Sequence, residues 1–247
     1  MTPRLSSRIR SPGDRPRQAD DVAPECAVRI VAPPDKPRDD LRNALFDRVL
    51  RWRHMASSSQ PRHRYTYAQY AALERESTTK HEFFDGEIYA MAGGSEDHAA
   101  LAVSVLAALL AAVGERPCRV SSSDLRIYVE AVGLATFTDG SVICGPLQQH
   151  PPSPDATALN PLILLEVTSD SSEEYDTGAK LEMYRTIPSL RDCIVVSHRE
   201  RRITVHHRDD DGSWIARVAI GGGKVAVDSV AAVLVVDEVY RRSAIRS

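Results

Sequence analysis

From Tyr65 onward the apolar positions fall into short regular groups separated by turn residues. Tyr67, Tyr70 and Leu73 recur at helical spacing in YTYAQYAALE (65–74), which predicts a short helix capped by Thr66 with those three side chains buried. In HEFFDGEIYAMA, Asp85-Gly86 stands between two β-prone runs and predicts a hairpin. Ser95, Glu96 and Asp97 suit the first turn of a long core helix through EDHAALAVSVLAALLAAVG, and Gly114 suits its end. Two strands are expected next, 124–130 and 135–144, with a Pro- and Gln-bearing loop over 145–161. LILLEVT (162–168) is apolar nearly throughout, the pattern of a central strand covered on both faces. Ser171 with Glu174 forms a capping-box pattern that predicts a helix to about Thr186, ahead of Pro188. DCIVVS reads as another buried strand, and RITVHHR with SWIARVAI as a hairpin turning at Asp210-Asp211-Gly212. The expected fold is α/β (α+β): a mixed central sheet flanked by helices, with an added β-hairpin.

Residues 1–62 lack this order. Pro33-Pro34 and Pro37 interrupt any period, and only Leu41 to Trp52 could form an amphipathic helix. The expected division is a disordered, basic, Pro/Arg-rich leader over 1–62 and a folded domain over 63–247. Met55, followed by SSSQPRHR and then by organised sequence, is a candidate initiator.

Charge follows the same division. Residues 1–64 hold 14 Lys+Arg against 8 Asp+Glu, so with a net charge of −3 overall the remainder carries −9. The leader reads as a solvated tail, or alternatively as a nucleic-acid arm. No apolar run reaches the roughly 18 residues of a membrane span, and the arginine-bearing start has no apolar segment behind it, so neither membrane nor export is expected. Cys26, Cys118, Cys144 and Cys193 form no CxxC pair. Unpaired thiols and a cytoplasmic location are expected.

Two carboxylates stand out against this pattern. Glu166 lies inside the apolar run LILLEVT, where a charge needs a partner. Asp139 lies within the 135–144 run, followed by Gly140, which permits a bend and close approach. Carboxylates on adjacent strands are the hard oxygen donors that Mg²⁺ prefers. Lys180, on the helix after Glu166 and four residues beyond Asp176, could neutralise a buried acid or a phosphate.

The segments KHEFFDGEIYAMAGGSEDH, SSDLRIYVE, TFTDGSVICGP and LLEVTSDSSEEYDTGAKLEMYRTIPSLRDCIVVS, in that order, resemble the Uma-two family of restriction-endonuclease-like proteins, part of the PD-(D/E)XK nuclease superfamily. The resemblance covers about Tyr65 to Val239. It implies a DNA endonuclease that uses Mg²⁺, or Mn²⁺ in its place, and from that function a homodimer is expected. By position it implies Asp139 and Glu166 as metal ligands and Lys180 as the catalytic lysine. Thr138 stands where the family usually has proline, and Thr168 where the superfamily has lysine, so activity should hinge on Lys180.

A second tier comprises Glu82, His98 and Asp124. Glu82 reads equally as a further site carboxylate or as a solvated strand end. His98, in the first turn of the long helix, reads as structural or as a phosphate or ligand contact. Asp124 reads first as a partner of Arg126 or of nearby backbone. Arg126, Lys180 and Arg185 are the expected basic contacts to a polyanion. His206 and His207 are adjacent on a strand and cannot chelate one metal together, and GGGK (221–224) lacks Walker spacing. Two other readings compete: a catalytically silent module that binds nucleic acid or protein on the same fold, and a two-carboxylate hydrolase acting on a substrate such as a glycoside. The second leaves Lys180 unexplained.

Overall fold

The computed structural model describes residues 26–30, 63–150 and 156–246. The expected helix at Leu41–Trp52 and the Met55 start lie outside these residues. In chain order the elements are β1 (Cys26–Ile30), α1 (Tyr67–Glu76), β2 (His81–Phe84), β3 (Glu87–Ala90), α2 (Glu96–Val113), β4 (Cys118–Ser122), β5 (Arg126–Val129), β6 (Leu134–Phe137), β7 (Gly140–Cys144) and β8 (Thr157–Ala158). They continue with β9 (Ile163–Val167), α3 (Glu173–Thr177), α4 (Ala179–Tyr184), β10 (Asp192–Val196), β11 (Arg202–Arg208), β12 (Trp214–Ile220), β13 (Lys224–Val227), β14 (Ala232–Val235) and α5 (Val236–Val239).

The local signals account for most of these boundaries. Thr66 caps α1 through a complete capping box with Gln69. Asp85 and Gly86 both take positive φ, the backbone that a tight two-residue hairpin requires. Ser95 accepts the His98 N–H at the start of α2, and Gly114 ends it. Leu73 departs from expectation: it is half exposed, while Tyr70 and Ala71 are buried.

Two sheets carry the fold. The larger runs β1-β12-β11-β10-β9-β7-β4, with β9 and β10 parallel, and the smaller runs β3-β2-β6-β5-β8. β9 is covered on both faces. Ile163, Leu165 and Val167 join the cluster under Leu101, Val105 and Leu109 of α2, and Leu164 joins the opposite cluster with Leu181 and Tyr184 of α4. That alternation puts Glu166 on the α4 side. By length and composition α2 would also suit a bilayer-crossing segment, contrary to the sequence expectation. Here one of its faces packs on the sheet, while Val103 and Leu110 on the other are exposed.

Four expectations are corrected. The run 135–144 is two strands: β6 lies in the smaller sheet and β7 in the larger, and the chain crosses between them at Thr138-Asp139. Gly140 serves this crossing, because a Cβ there would stand 2.4 Å from Leu106 Cδ2 of α2. The helix expected from Ser171 is two short pieces broken at Gly178, where a Cβ would lie 2.7 Å from the Glu174 carbonyl oxygen. Its first residue follows Ser172, and no side chain caps it. Cys118 and Cys144 form a disulfide, since they sit directly opposite each other on the antiparallel pair β4–β7. Finally, the segment 26–30 of the leader pairs with β12 as an edge strand, and beyond the β11–β12 hairpin the chain adds β13, β14 and α5.

Among the described residues, every buried core side chain lies within 70–240. A shortened chain beginning at Met55 should therefore melt cooperatively within about 5 °C of the full chain, the shift expected for roughly 1–2 kcal/mol in a domain of this size. It should also self-associate more readily, because the edge of β12 is uncovered. Thermal melts with light scattering test this; loss of the cooperative transition would show that the first 54 residues help to hold the domain.

Candidate functional site

Three elements bring their acids to one place. β9 supplies Glu166, the crossing between β6 and β7 supplies Asp139, and β2 supplies Glu82. The α3–α4 pair adds Asp176, Lys180 and Tyr184. Glu82, Glu166, Asp176 and Lys180 are all buried, and Asp139 keeps about a fifth of its side chain exposed.

Glu166 is the centre of the group. Lys180 Nζ lies 3.0 Å from its Oε1, and the Tyr184 hydroxyl donates to the same oxygen at 2.6 Å. Lys180 is also 3.5 Å from Asp176 Oδ1, four residues back across the break at Gly178. Tyr184 is four residues on within α4, so Lys180 and Tyr184 make one stripe facing β9. The Lys180 ammonium lies over the rings of both Tyr175 and Tyr184. Burial pushes the Glu166 carboxyl up to about 8, with Lys180 opposing and Asp176 and Asp139 adding to the rise. Burial also raises Asp176. For Lys180 burial works downward, but Glu166 and its neighbours outweigh it and hold the ammonium well above its ordinary range. It is a fixed cation at any physiological pH.

Asp139 is fastened by its backbone and by its side chain. Its N–H donates to the Leu165 carbonyl at 3.0 Å, and its Oδ2 accepts the Val167 N–H at 2.7 Å. His98 Nε2 stands 3.3 Å from the same oxygen. Its hydrogen bond to Asp139 raises the His98 pKa, against burial, which lowers it. The structure thus brings the second-tier His98 to Asp139. Glu82 is buried, correcting the solvated strand-end reading. It accepts hydrogen bonds from Tyr175 at 2.7 Å and Thr136 at 2.9 Å.

Other candidates fall elsewhere. Asp124 is exposed in the β4–β5 turn and pairs with Lys80 at 2.8 Å, not with Arg126. Arg126 is buried over the rings of Tyr70 and Phe137. Arg185 pairs with Glu182 at 2.6 Å and lies over Trp214. The expected basic contacts are therefore engaged within the domain. His206 approaches Arg185 and His207 bonds Asp192, which confirms their opposite faces. Sequence reasoning missed Tyr184 and Tyr175; the i+4 spacing from Lys180 was the available signal for Tyr184.

Hydrogen bonds and the ion pair fall on Glu166 Oε1 and Asp139 Oδ2; among the described residues none falls on Glu166 Oε2 or Asp139 Oδ1. No three His, Cys, Asp or Glu side chains among those residues converge as a ready metal cage. Two carboxylates with free oxygens are nonetheless the donor set that Mg²⁺ takes when water and phosphate complete its shell.

Comparisons with known proteins bear on the family and the fold. The Uma2 sequence profile, described as "Putative restriction endonuclease", matches residues 67–233. Two Synechocystis proteins, "Uncharacterized protein slr1290" and "Uncharacterized protein sll1609", are 31% and 28% identical over 185 and 159 residues. These alignments cover 75% and 63% of this chain and 96% and 88% of the relatives. A solved structure from Anabaena variabilis, a "putative nuclease belonging to DUF820", shares the fold with a TM-score of 0.57. Its identity is 18%, and the alignment covers 70% of this chain and 96% of that one.

The Glu166–Lys180 pair makes a stability prediction. Lys180→Met leaves a buried carboxylate without its cation, a change that costs about 3–5 kcal/mol when both groups are charged. Glu166 has its folded pKa raised above the unfolded value, so its protonated form is bound more tightly in the folded state. Removing Lys180, which opposes that rise, raises the pKa further, so both proteins lose stability alike from the unfolded pKa near 4.5 up to about 8, and above about 8 only the variant goes on losing it. The variant's melting temperature should sit near wild type at pH 5 and fall progressively behind it by pH 9. A gap that does not change with pH would mean that Glu166 is not the group left bare.

Proposed function

This chain belongs to the Uma2 family, and from that membership together with the Asp139–Glu166–Lys180 centre we propose that it is a metal-dependent endonuclease that hydrolyses DNA phosphodiester bonds. The carrying observation is the buried, lysine-paired Glu166 of β9, with Asp139 hydrogen-bonded to the β9 backbone on either side of it, at Leu165 and Val167. A bound Mg²⁺, or Mn²⁺, supplies polarisation of the phosphate and a more acidic water; Asp139 Oδ1 and Glu166 Oε2 would hold it. Lys180 keeps Glu166 from being an unbalanced buried charge and offsets negative charge on the phosphate. His98 fixes the orientation of Asp139. Tyr184 holds Oε1 of Glu166, which leaves Oε2 for the cation.

The competing reading is a silent module on the same fold. A lysine turned away from the carboxylates would favour it; Lys180 instead sits 3.0 Å from Glu166, which supports the catalytic reading. We also propose a homodimer, because cutting both strands of a duplex at related positions is simplest with two sites about a two-fold axis.

Asp139→Asn and Glu166→Gln should each lower Mg²⁺-dependent plasmid cleavage by about a hundredfold or more while the far-ultraviolet circular dichroism stays unchanged. Lys180→Met, assayed at pH 6 where it remains folded, should lose turnover more than metal affinity measured by calorimetry. Full cleavage by Asp139→Asn would end this assignment of the site. An inactive wild type that still binds DNA would favour the silent module. Light scattering at micromolar concentration should give twice the chain mass, and a monomer throughout that range would rule out the dimer.

A further inference from the structure

The carboxyl ends of the parallel strands β9 and β10 carry a second hydrogen-bonded chain beside the acid cluster. The ladder continues one step past β9, with the Thr168 N–H donating to the Val196 carbonyl at 2.9 Å. Residues two apart on a strand share a face, so Thr168 points to the same side as Glu166. It is buried, and its hydroxyl lies 2.8 Å from His198 Nδ1. The His198 backbone N–H also donates to that hydroxyl, at 3.2 Å. The far nitrogen of the ring, Nε2, is 3.0 Å from Asp170 Oδ1.

The partners fix where the hydrogens sit. The hydrogen bond from His198, followed by the charges of His198 and Arg199, lowers the Asp170 pKa, so Asp170 is an ionised acceptor. The Arg199 Nε–H also reaches Nε2, at 3.3 Å, but has the nearer Glu173 carboxylate at 2.9 Å, which leaves Nε2 to carry the hydrogen that Asp170 accepts. In the neutral ring Nδ1 is then an acceptor, and the Thr168 O–H must point at it. When the ring is protonated, Nδ1 becomes a donor to Thr168 Oγ1. The hydroxyl hydrogen is then free to turn outward. One proton on His198 thus reverses Thr168 from a hydrogen-bond acceptor to a donor on the face that carries Glu166.

We propose that His198 is a positioning residue for the reaction: by its protonation it sets the Thr168 hydroxyl to donate to a non-bridging oxygen of the scissile phosphate. This rests on the nuclease reading given above. It assigns the group at the strand end beside Glu166 where Lys180 does not project. The charged neighbours that face His198 are Asp170 from the β9–α3 turn, at 3.0 Å, and Arg199 from its own turn, at 3.3 Å. Glu173 of α3 pairs with Arg199 at 2.9 Å.

The test is kcat/KM for Mg²⁺-dependent plasmid cleavage against pH in the full chain, with melting temperature as the control for folding. Wild type should lose activity in one step as pH rises across the range in which imidazoles give up their proton. His198→Asn and Thr168→Val should each fall about ten- to a hundredfold at low pH, the value of one hydrogen bond to a charged group, and should lose that step in the profile. The double variant should fall no further than either single one, and Thr168→Ser should keep both rate and step. Thr168→Lys in the His198→Asn background brings its own donor and should recover activity without the step. A His198→Asn enzyme with wild-type rate and profile would overturn the proposal while leaving the nuclease reading intact. Long-range proton–nitrogen spectra of the metal-free protein give a readout that does not depend on cleavage. A neutral His198 ring protonated at Nδ1 would overturn the proposal by itself. A wild type that cuts no nucleic acid, with Asp139→Asn equally inert, would remove the nuclease reading and this inference together.

Discussion

The ion pair between Glu166 and Lys180 is the constraint around which the domain is arranged. A carboxylate on an inner strand of a sheet, with apolar clusters on both faces, is tolerated only with a cation and a hydroxyl in contact. Those partners must come from an element packed directly on that strand, and α4 supplies both from one stripe. The break at Gly178 goes with this arrangement and needs glycine, because in the broken backbone a Cβ at 178 would stand 2.7 Å from the Glu174 carbonyl oxygen. Tyr184 and Lys180 are consequently core residues and site residues together. The same packing that stabilises α4 sets the state of the acid.

The second carboxylate is placed by different means. Asp139 belongs to neither sheet: it lies where the chain leaves β6 for β7, and is fixed by hydrogen bonds to the backbone of β9 at Leu165 and Val167. One acid is thus held by side-chain chemistry in a dry interior, and the other by backbone pairing at the rim. Their exposures differ accordingly. So do their partners, a lysine for the buried acid and a histidine for the accessible one.

Much of this was legible in the residues, for identifiable reasons. Glu166 announced itself because a charge inside an apolar run contradicts its surroundings, and Lys180 followed because i+4 spacing from Asp176 is a local rule. The caps of α1 and α2 and the Asp85-Gly86 turn were legible because they depend on a few adjacent residues. What stayed hidden was non-local. Nothing in ATFTDGSVIC shows that its two halves join different sheets, since both halves are β-prone and the switch is decided by what lies across from them. The Cys118–Cys144 bond depends on the register of β4 against β7, which sequence separation does not reveal. Arg126 looked like a surface cation and proved to be covered by Tyr70 and Phe137, because its strand register turns it toward the aromatic side of the smaller sheet. Glu82 looked like a strand end and is enclosed because Tyr175 and Thr136 close over it.

The crossing at Thr138-Asp139 has a mechanical consequence. Glu82 and Thr136 move with the smaller sheet, Glu166 moves with the larger, and Asp139 is tied by its hydrogen bonds to the larger one just where the chain enters it. A shift of one sheet against the other would move Glu82 relative to the Asp139–Glu166 pair while leaving the spacing within that pair nearly unchanged. The distance between the two acids is thus a property of one sheet's own ladder, and their distance from Glu82 a property of the packing between the two sheets.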